Sequence, residues 1–196
     1  MKVIGLAGWS GAGKTTLLTR LIPHFREQGL RVSVIKHAHH TFDVDVPGKD
    51  SWRHREAGAE EVLVSSAHRW AMMHELRGAR EPRLPELLQK MSPVDLVIVE
   101  GYKSEPHRKI EVHRSANGKP LLFPGDAGIV GIASDVAVET ALPTAHLDDI
   151  PAIDSNGRIC SCLIGYAWSC AIAACAATRS LQCRERSGQG HVADLC

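Results

Sequence analysis

The 196-residue chain has little net charge, no cysteine in its first 159 residues and no apolar leader. Its formal net charge is +1, which implies no overall electrostatic attraction to nucleic acid or to a membrane. Met1 leads directly into a predicted strand, whereas a secretory signal opens with a basic segment followed by an apolar one. We therefore expect a cytoplasmic protein whose partners include neither nucleic acid nor membrane.

The cysteines are confined to the last 37 residues, at Cys160, Cys162, Cys170, Cys175, Cys183 and Cys196. A cytoplasmic location argues against a disulfide framework. Residues 159–177 carry no charge, but their strongly apolar residues contribute only about −2 kcal/mol to membrane insertion, which is too little for a span. This asymmetry separates one domain, residues 1–153, from an atypical Cys-rich tail, residues 154–196.

A glycine-rich motif near the amino terminus, Gly8–Thr15, fits the phosphate-loop pattern G-x-x-x-x-G-K-[ST]. It follows a short apolar run of buried-strand type and precedes a segment with helical periodicity. In this arrangement backbone N–H groups surround an anion, and the helix N-terminus adds partial positive charge. Lys14 then reaches the β- and γ-phosphates and the Thr15 hydroxyl ligates Mg²⁺, whereas a simple turn explains neither side chain. The candidate nucleotide-binding residues of this motif are Gly8, Trp9, Ser10, Gly11, Ala12, Gly13, Lys14, Thr15 and Thr16.

Strand-like and helix-like segments alternate as far as residue 135. The alternation predicts an α/β fold with a doubly wound, mostly parallel sheet of the P-loop NTPase type. This sheet could carry a β-hairpin as an extension. A hairpin is also one option for the strand at residues 109–113. Ligands of such sheets bind at the carboxyl ends of strands, where Gly8, His37, Glu100 and Asp135 are expected. The predicted strands are 2–7, 31–36, 61–65, 69–73, 96–99, 109–113 and 128–133, and the predicted helices are 15–28, 50–57 and 84–91.

Two acidic residues are candidates for the metal side of the site. Glu100 ends an apolar run, at the position where phosphate-loop proteins place an acid that holds Mg²⁺, often through water. A solvated acid at a strand end is the alternative for Glu100. Asp45 could orient the attacking water or a water on the metal. The candidate catalytic residues are thus Lys14, Asp45 and Glu100, and the candidate metal ligands are Thr15, Asp45 and Glu100.

The polar loop after residue 36 contains His37, His39 and His40 followed by Asp43 and Asp45. One interpretation is a transition-metal site, although the spacing matches none of the closed structural zinc patterns. A second is a switch loop that faces the anion and Mg²⁺. A third is a loop that is merely solvated, and the residues alone leave all three open.

Asp135 follows the predicted strand 128–133. It resembles the carboxylate with which GTP-binding proteins read N1 and N2 of guanine. The full Asn-Lys-x-Asp signature is absent, so the base does not follow from these residues alone. Asp135 is therefore the candidate base-reading residue of the nucleotide site.

Taken together, several stretches resemble the molybdopterin-guanine dinucleotide biosynthesis protein B family, GTP-binding accessory factors of molybdenum cofactor maturation. The resemblance runs over about residues 1–153. It implies a homodimer, weak GTP hydrolysis, GTP with Mg²⁺ as ligands and a molybdenum cofactor guanylyltransferase as partner, with molybdopterin as a further candidate ligand. The stretches that carry it are 8–16, 35–40 (IKHAHH), 42–51 (FDVDVPGKDS), 69–71 (RWA), 99–103 (VEGYK) and 109–112 (KIEV).

The resemblance ends near Asp154. Residues 147–153 are similar to the family's lead into a final helix, and the sequence then turns to Cys, Ser, Gly and Arg without a helical period. We hypothesise that the reading frame changes at this point or that the tail is disordered.

Two other functions fit the chemistry of the residues. A small-molecule kinase would use Asp43 or Asp45 as base, but no arginine-rich lid segment is evident. A metal-delivery GTPase would carry its metal on the residue 37–40 cluster. For the GTP-binding accessory protein, slow hydrolysis is expected because no arginine is evidently placed to act in cis, and an arginine finger is worth roughly 10³–10⁵ in rate.

Overall fold

The protein is built on eight strands and four helices within residues 1–38 and 42–154, which are the residues that the computed structural model describes. The strands are β1 (Lys2–Ala7), β2 (Val32–Lys36), β3 (Glu61–Ser65), β4 (Trp70–His74), β5 (Leu96–Glu100), β6 (Lys109–His113), β7 (Ile129–Ser134) and β8 (Thr144–His146). The helices are α1 (Lys14–Glu27), α2 (Asp50–Glu56), α3 (Leu84–Lys90) and α4 (Ile150–Asp154). The predictions for His39, His40 and the tail from residue 155 lie outside the described residues.

Six strands form one parallel sheet in the order β2-β5-β1-β6-β7-β8. The central strands β1 and β5 pair from Lys2 with Leu96 to Leu6 with Glu100. All five residues of β5 are buried, because a parallel strand in the middle of such a sheet is covered on both faces. The remaining two strands, β3 and β4, form a separate antiparallel pair. The predicted α/β class and its hairpin extension are confirmed.

Two hydrophobic cores cover opposite faces of the sheet, as a doubly wound fold requires. On one face α1 and α4 pack against β1, β5 and β6, with Leu17, Leu21 and Ile153 among the buried residues. On the other face Leu84 and Leu88 of α3 pack against β2 and β5. Because both faces are covered, the carboxyl edge of the parallel strands is the part of the sheet left available to a ligand.

The hairpin option for residues 109–113 is wrong. This segment is β6, a parallel strand between β1 and β7. Lys109 and Glu111 are 2% and 1% exposed, so their charges are buried inside the sheet. The burial is possible because Lys109 Nζ lies 3.0 Å from Asp126 Oδ2, while Glu111 accepts hydrogen bonds from the backbone N–H groups of Leu122 and Phe123. The charges of Lys109 and Glu111 therefore lie in a strand inside the sheet, where each has a hydrogen-bond partner.

The short edge strand β8 was not predicted, and neither were two 3₁₀ turns at Ser115–Asn117 and Phe123–Gly125. Helix α1 continues past Pro23 to Glu27, as the apolar period beyond the proline predicted. No helix within residues 1–38 and 42–154 is both long and apolar enough to cross a bilayer.

Candidate functional site

The glycine-rich loop (residues 8–15) joins the end of β1 to the start of α1. Gly8 adopts φ +148°, and a Cβ at this position would lie 2.4 Å from the carbonyl oxygen of Val112 in β6. Only glycine therefore lets the loop pass this close to the neighbouring strand. The Lys14 ammonium folds back over the loop and donates hydrogen bonds to the carbonyl oxygens of Gly8 and Trp9, both at 2.9 Å. The loop thus holds one cation directly above its own backbone.

Thr15 and Glu100 meet at this edge of the sheet, as the sequence predicted. The Thr15 hydroxyl donates a hydrogen bond to Glu100 Oε1 at 3.1 Å. Glu100 is the last residue of β5 and is only 8% exposed. A hydroxyl and a carboxylate side by side are hard oxygen donors, which suits the ligand preference of Mg²⁺. These two residues would hold the ion, which when bound neutralises phosphate charge.

The electrostatics of Lys14 are those of a cation held close to other charges. Burial lowers the pKa of Lys14, the Glu100 carboxylate acts in the opposite direction, and the positive charges of Lys103 and Lys36 lower it further. A cluster of cations in a partly buried site is unfavourable until an anion enters it. The arrangement is therefore suited to a polyphosphate.

His37 lies next to Glu100 rather than out in solvent. Its backbone N–H donates to the carbonyl oxygen of Glu100 at 2.8 Å, and a Cβ at Gly101 would be 2.6 Å from the His37 Cβ. The His37 Nε2 lies 2.7 Å from Glu81 Oε1, and its ring centroid lies 4.8 Å from that of Tyr102. The close approach that Gly101 permits is thus made by His37.

A segment that sequence reasoning missed, residues 114–120 (the β6 flank), packs against the glycine-rich loop. The Trp9 indole N–H donates to the carbonyl oxygen of Pro120 at 2.8 Å, and the Asn117 amide donates to that of Ser10 at 3.2 Å. A Cβ at Gly13 would lie 3.3 Å from Nη2 of Arg114. The only available signal was position, since Arg114 directly follows a strand whose carboxyl end meets the same edge.

The structure ties Asp45 to helix α2. Asp45 Oδ1 accepts from the Ser51 hydroxyl at 2.8 Å, and Oδ2 accepts from Arg55 Nε at 3.3 Å. Arg55 also pairs with Asp43 and Glu75, each at 2.7 Å, so one guanidinium joins this loop to the end of β4. The backbone N–H of Asp45 and the Arg55 side chain lower the pKa of Asp43. Thr15 and Glu100 are therefore brought together, while the contacts of Asp45 are with α2.

Asp135 lies at the end of β7 and is engaged by Ser115 of the β6 flank. Its carboxylate accepts from the Ser115 backbone N–H at 2.8 Å and from the Ser115 hydroxyl at 3.1 Å. The backbone hydrogen bond is the main reason that the pKa of Asp135 is lowered. An open cavity of about 260 Å³ is lined by neighbouring residues of the 134–138 and 144–146 segments. Asp135 is not among the lining residues of this cavity, and its carboxylate is held by Ser115.

Within residues 1–38 and 42–154, no three His, Cys, Asp or Glu side chains are grouped so that they could hold a metal ion. The transition-metal interpretation depended on His39 and His40, which are not among the described residues.

The fold and the site define a class, namely an α/β protein with a glycine-rich strand–loop–helix turn at the carboxyl edge of a parallel sheet. Residues 3–135 match the family model of MobB, molybdopterin guanine dinucleotide synthesis protein B. A molybdopterin-guanine dinucleotide biosynthesis adapter protein of Escherichia coli strain K12 is 40% identical over 154 residues, which cover 77% of this chain and 88% of that protein. The chain belongs to the MobB family.

Two further comparisons agree. A Haemophilus influenzae protein with the same description is 42% identical over 153 residues, covering 77% of this chain and 84% of that protein. The crystal structure of Bacillus subtilis MobB superposes with a TM-score of 0.66 at 25% identity, covering 85% of this chain and all of that one. The family resemblance seen in the sequence is therefore confirmed.

Proposed function

We propose that the protein is a cytoplasmic GTP-binding accessory protein with weak GTPase activity that acts as an adapter in molybdopterin guanine dinucleotide biosynthesis. The observation that carries the nucleotide site is the Thr15–Glu100 hydrogen bond beside Lys14, at the head of a helix that opens with a glycine-rich loop. This arrangement places a cation, two Mg²⁺-type oxygen donors and a turned backbone at one edge. The relatives from E. coli and H. influenzae bear the adapter description.

The choice of GTP rests on Asp135 and on family membership. Asp135 directly follows β7 at the carboxyl edge of the sheet, where Ser115 holds its carboxylate. An ionised carboxylate can accept hydrogen bonds from N1 and N2 of guanine, which adenine cannot supply. Asp135 therefore favours guanine over adenine.

Weak hydrolysis fits the contacts of Asp45. To orient a water or contact the metal, Asp45 would have to exchange its hydrogen bonds with Ser51 and Arg55 for new ones. Such a rearrangement costs free energy, because a buried carboxylate must not be left without partners. We propose that this exchange occurs only in part of the molecules, so that turnover is slow.

The proposed partners are the molybdenum cofactor guanylyltransferase, a second copy of the chain and, as a further ligand, molybdopterin. The β3–β4 hairpin offers a surface for the second copy. Leu63 pairs with Met72 and Ser65 pairs with Trp70, so Leu63, Met72 and Trp70 lie on one face, where they are 60%, 44% and 64% exposed. A contiguous exposed apolar patch of this kind is typical of a protein interface.

The adapter role is tested by co-purification with the guanylyltransferase in the presence and absence of GTP. We expect GTP to increase the amount of partner retained by the wild-type chain and to have no effect on a Lys14→Ala variant, which keeps the rest of the surface. Retention that is the same with and without GTP for both proteins would contradict a nucleotide-dependent adapter.

A further inference from the structure

Arg114 occupies an unusual position for a surface-loop arginine. It directly follows β6, the strand next to β1, and its side chain lies over the start of α1. Nη2, Nε and Cζ of the guanidinium are 3.3, 3.6 and 3.9 Å from the place that a Cβ on Gly13 would take. The Arg114 guanidinium thus lies close to Gly13, while the Lys14 ammonium contacts the same loop at the carbonyl oxygens of Gly8 and Trp9.

Within residues 1–38 and 42–154, the Arg114 guanidinium has no carboxylate partner at ion-pair distance. Arg20, Arg31, Arg55, Arg80 and Arg83 each form an ion pair with an acid. Among the described residues no carboxylate oxygen lies within 4.0 Å of the Arg114 guanidinium. The hydrogen bond from the Ser115 backbone is the main cause of the lowered pKa of Asp135, and the charge of Arg114 adds to it without forming an ion pair. A half-buried guanidinium with its donors available is suited to a planar, multiply charged anion.

The β6 flank holds Arg114 in this place. Two side-chain hydrogen bonds, from Trp9 to Pro120 and from Asn117 to Ser10, fix the segment to the glycine-rich loop. Asn117 and Gly118 also close the 3₁₀ turn with backbone hydrogen bonds to Arg114 and Ser115. Arg114 is therefore carried by a turn that is anchored to the loop itself.

We propose that Arg114 is a phosphate-binding residue that supplies a second cation, besides Lys14, to the nucleotide in cis. The inference rests on the proposed function, because it concerns the same nucleotide site. It departs from the expectation that no arginine is evidently placed to act in cis. The ligand it contacts is the polyphosphate, and the base and ribose are not needed for the contact.

The test is a set of affinities for a non-hydrolysable GTP analogue, GDP and guanosine, measured for Arg114→Ala, Arg114→Gln and Arg114→Lys. A charged hydrogen bond is worth about 1.5–3 kcal/mol, so Arg114→Ala should weaken the GTP analogue by roughly 10- to 100-fold. Guanosine affinity should change by less than about twofold, since guanosine has no phosphate for the guanidinium to contact. Arg114→Lys should fall between the wild type and Arg114→Ala, because it keeps the charge and loses the planar fork.

Arg26→Ala is the matched control, because Arg26 is an exposed arginine in the last turn of α1, the helix whose first turn carries Lys14. If Lys14→Ala weakens the GTP analogue while Arg114→Ala and Arg114→Gln behave like Arg26→Ala, the inference is overturned and the nucleotide site stands. If Lys14→Ala has no effect either, the proposed function itself fails. Equal losses for the GTP analogue and guanosine in Arg114→Ala and Arg114→Gln would show that Arg114 only shapes the loop, which also overturns the inference.

Discussion

Glu100 and Thr15 lie 85 positions apart in the sequence, and the parallel pairing of β1 with β5 brings them together. The pairing is in register up to Leu6 with Glu100, so the loop that follows β1 passes next to the end of β5. Glu100 is nearly buried at this point. An acid in such a position needs a positive or hydrogen-bonding partner, and the Thr15 hydroxyl donates a hydrogen bond to it.

Replacing Glu100 by Gln should uncouple GTP binding from Mg²⁺. The substitution keeps the shape and one acceptor oxygen but removes the negative charge that favours the ion. We expect the gain in GTP affinity on adding Mg²⁺ to fall by roughly 10- to 100-fold, the usual loss when a residue that supports a metal is changed. Calorimetric titration with Mg²⁺ and with chelator measures it, and Glu139→Gln, an exposed acid, is the control. An unchanged Mg²⁺ effect would remove Glu100 from the metal site.

Asp135→Asn should shift base preference from guanine toward xanthine nucleotides. A site built to hydrogen-bond a group rejects the analogue lacking it, because its own polar atoms are left without partners. The asparagine amide offers a donor where the aspartate offered an acceptor, which matches the carbonyl of xanthine. Competition between GTP and XTP measures the shift. The control is Ser115→Ala, which removes the hydroxyl hydrogen bond to Asp135 and leaves the negative charge of Asp135 in place. No change in base preference would show that Asp135 does not read the base.

At the scale of elements, the entry into β6 contains a buried histidine. The His107 ring packs against β1, where a Cβ on Gly5 would lie 2.4 Å from Nε2. Nδ1 lies 3.1 Å from the carbonyl oxygen of Glu105, which fits a neutral ring that donates from Nδ1. Nε2 is buried and has no hydrogen-bond partner among the described residues. Burial lowers the pKa of His107 from its ordinary value of 6.5, and the charge of Lys109 lowers it further.

Because the pKa of His107 is lowered in the folded state, we expect acid to destabilise the protein where His107 packs against β1. Because the folded state takes up the proton less readily than the unfolded chain, the free energy of unfolding falls as the pH drops below about 6.5. Above that value His107 contributes no pH dependence. Urea unfolding between pH 5 and pH 8 should show a weaker decline for His107→Gln than for the wild type. Parallel pH curves for the two proteins would contradict a buried neutral His107.

Elements with a local signature could be predicted from the sequence, and those fixed by distant partners could not. The apolar run of β5 and the Gly8–Thr15 motif can each be recognised from a few consecutive residues. The position of β6 inside the sheet depends on Asp126 and on the backbone after residue 121, because these groups pair with the buried charges of Lys109 and Glu111. The same holds for Arg114, because only the pairing of β6 with β1 shows that it reaches Gly13. The contacts of Asp45 with α2 were missed for the same reason.

At the scale of the whole molecule, the hairpin stands outside the parallel sheet and exposes Leu63, Met72 and Trp70 on one face. Leu63→Glu together with Met72→Glu should shift the proposed homodimer to monomer, because buried like charges would oppose each other across the interface. Sedimentation over a range of protein concentrations measures the equilibrium. The control is Val136→Glu, an exposed apolar residue after β7. A wild-type chain that remains monomeric at all concentrations would contradict the dimer.

The measurement that tests the nucleotide site most directly is titration of the full chain with GTP and with guanosine, in wild type and in Lys14→Ala. The Lys14 ammonium donates hydrogen bonds to the carbonyl oxygens of Gly8 and Trp9 in the glycine-rich loop, a position from which its charge can reach a phosphate. We expect Lys14→Ala to lower the affinity for GTP by roughly 10-fold or more, as the loss of other charged hydrogen bonds does, and to leave the affinity for guanosine nearly unchanged. Equal loss for both ligands, or no loss for either, would contradict a phosphate-binding role for the Gly8–Thr15 loop.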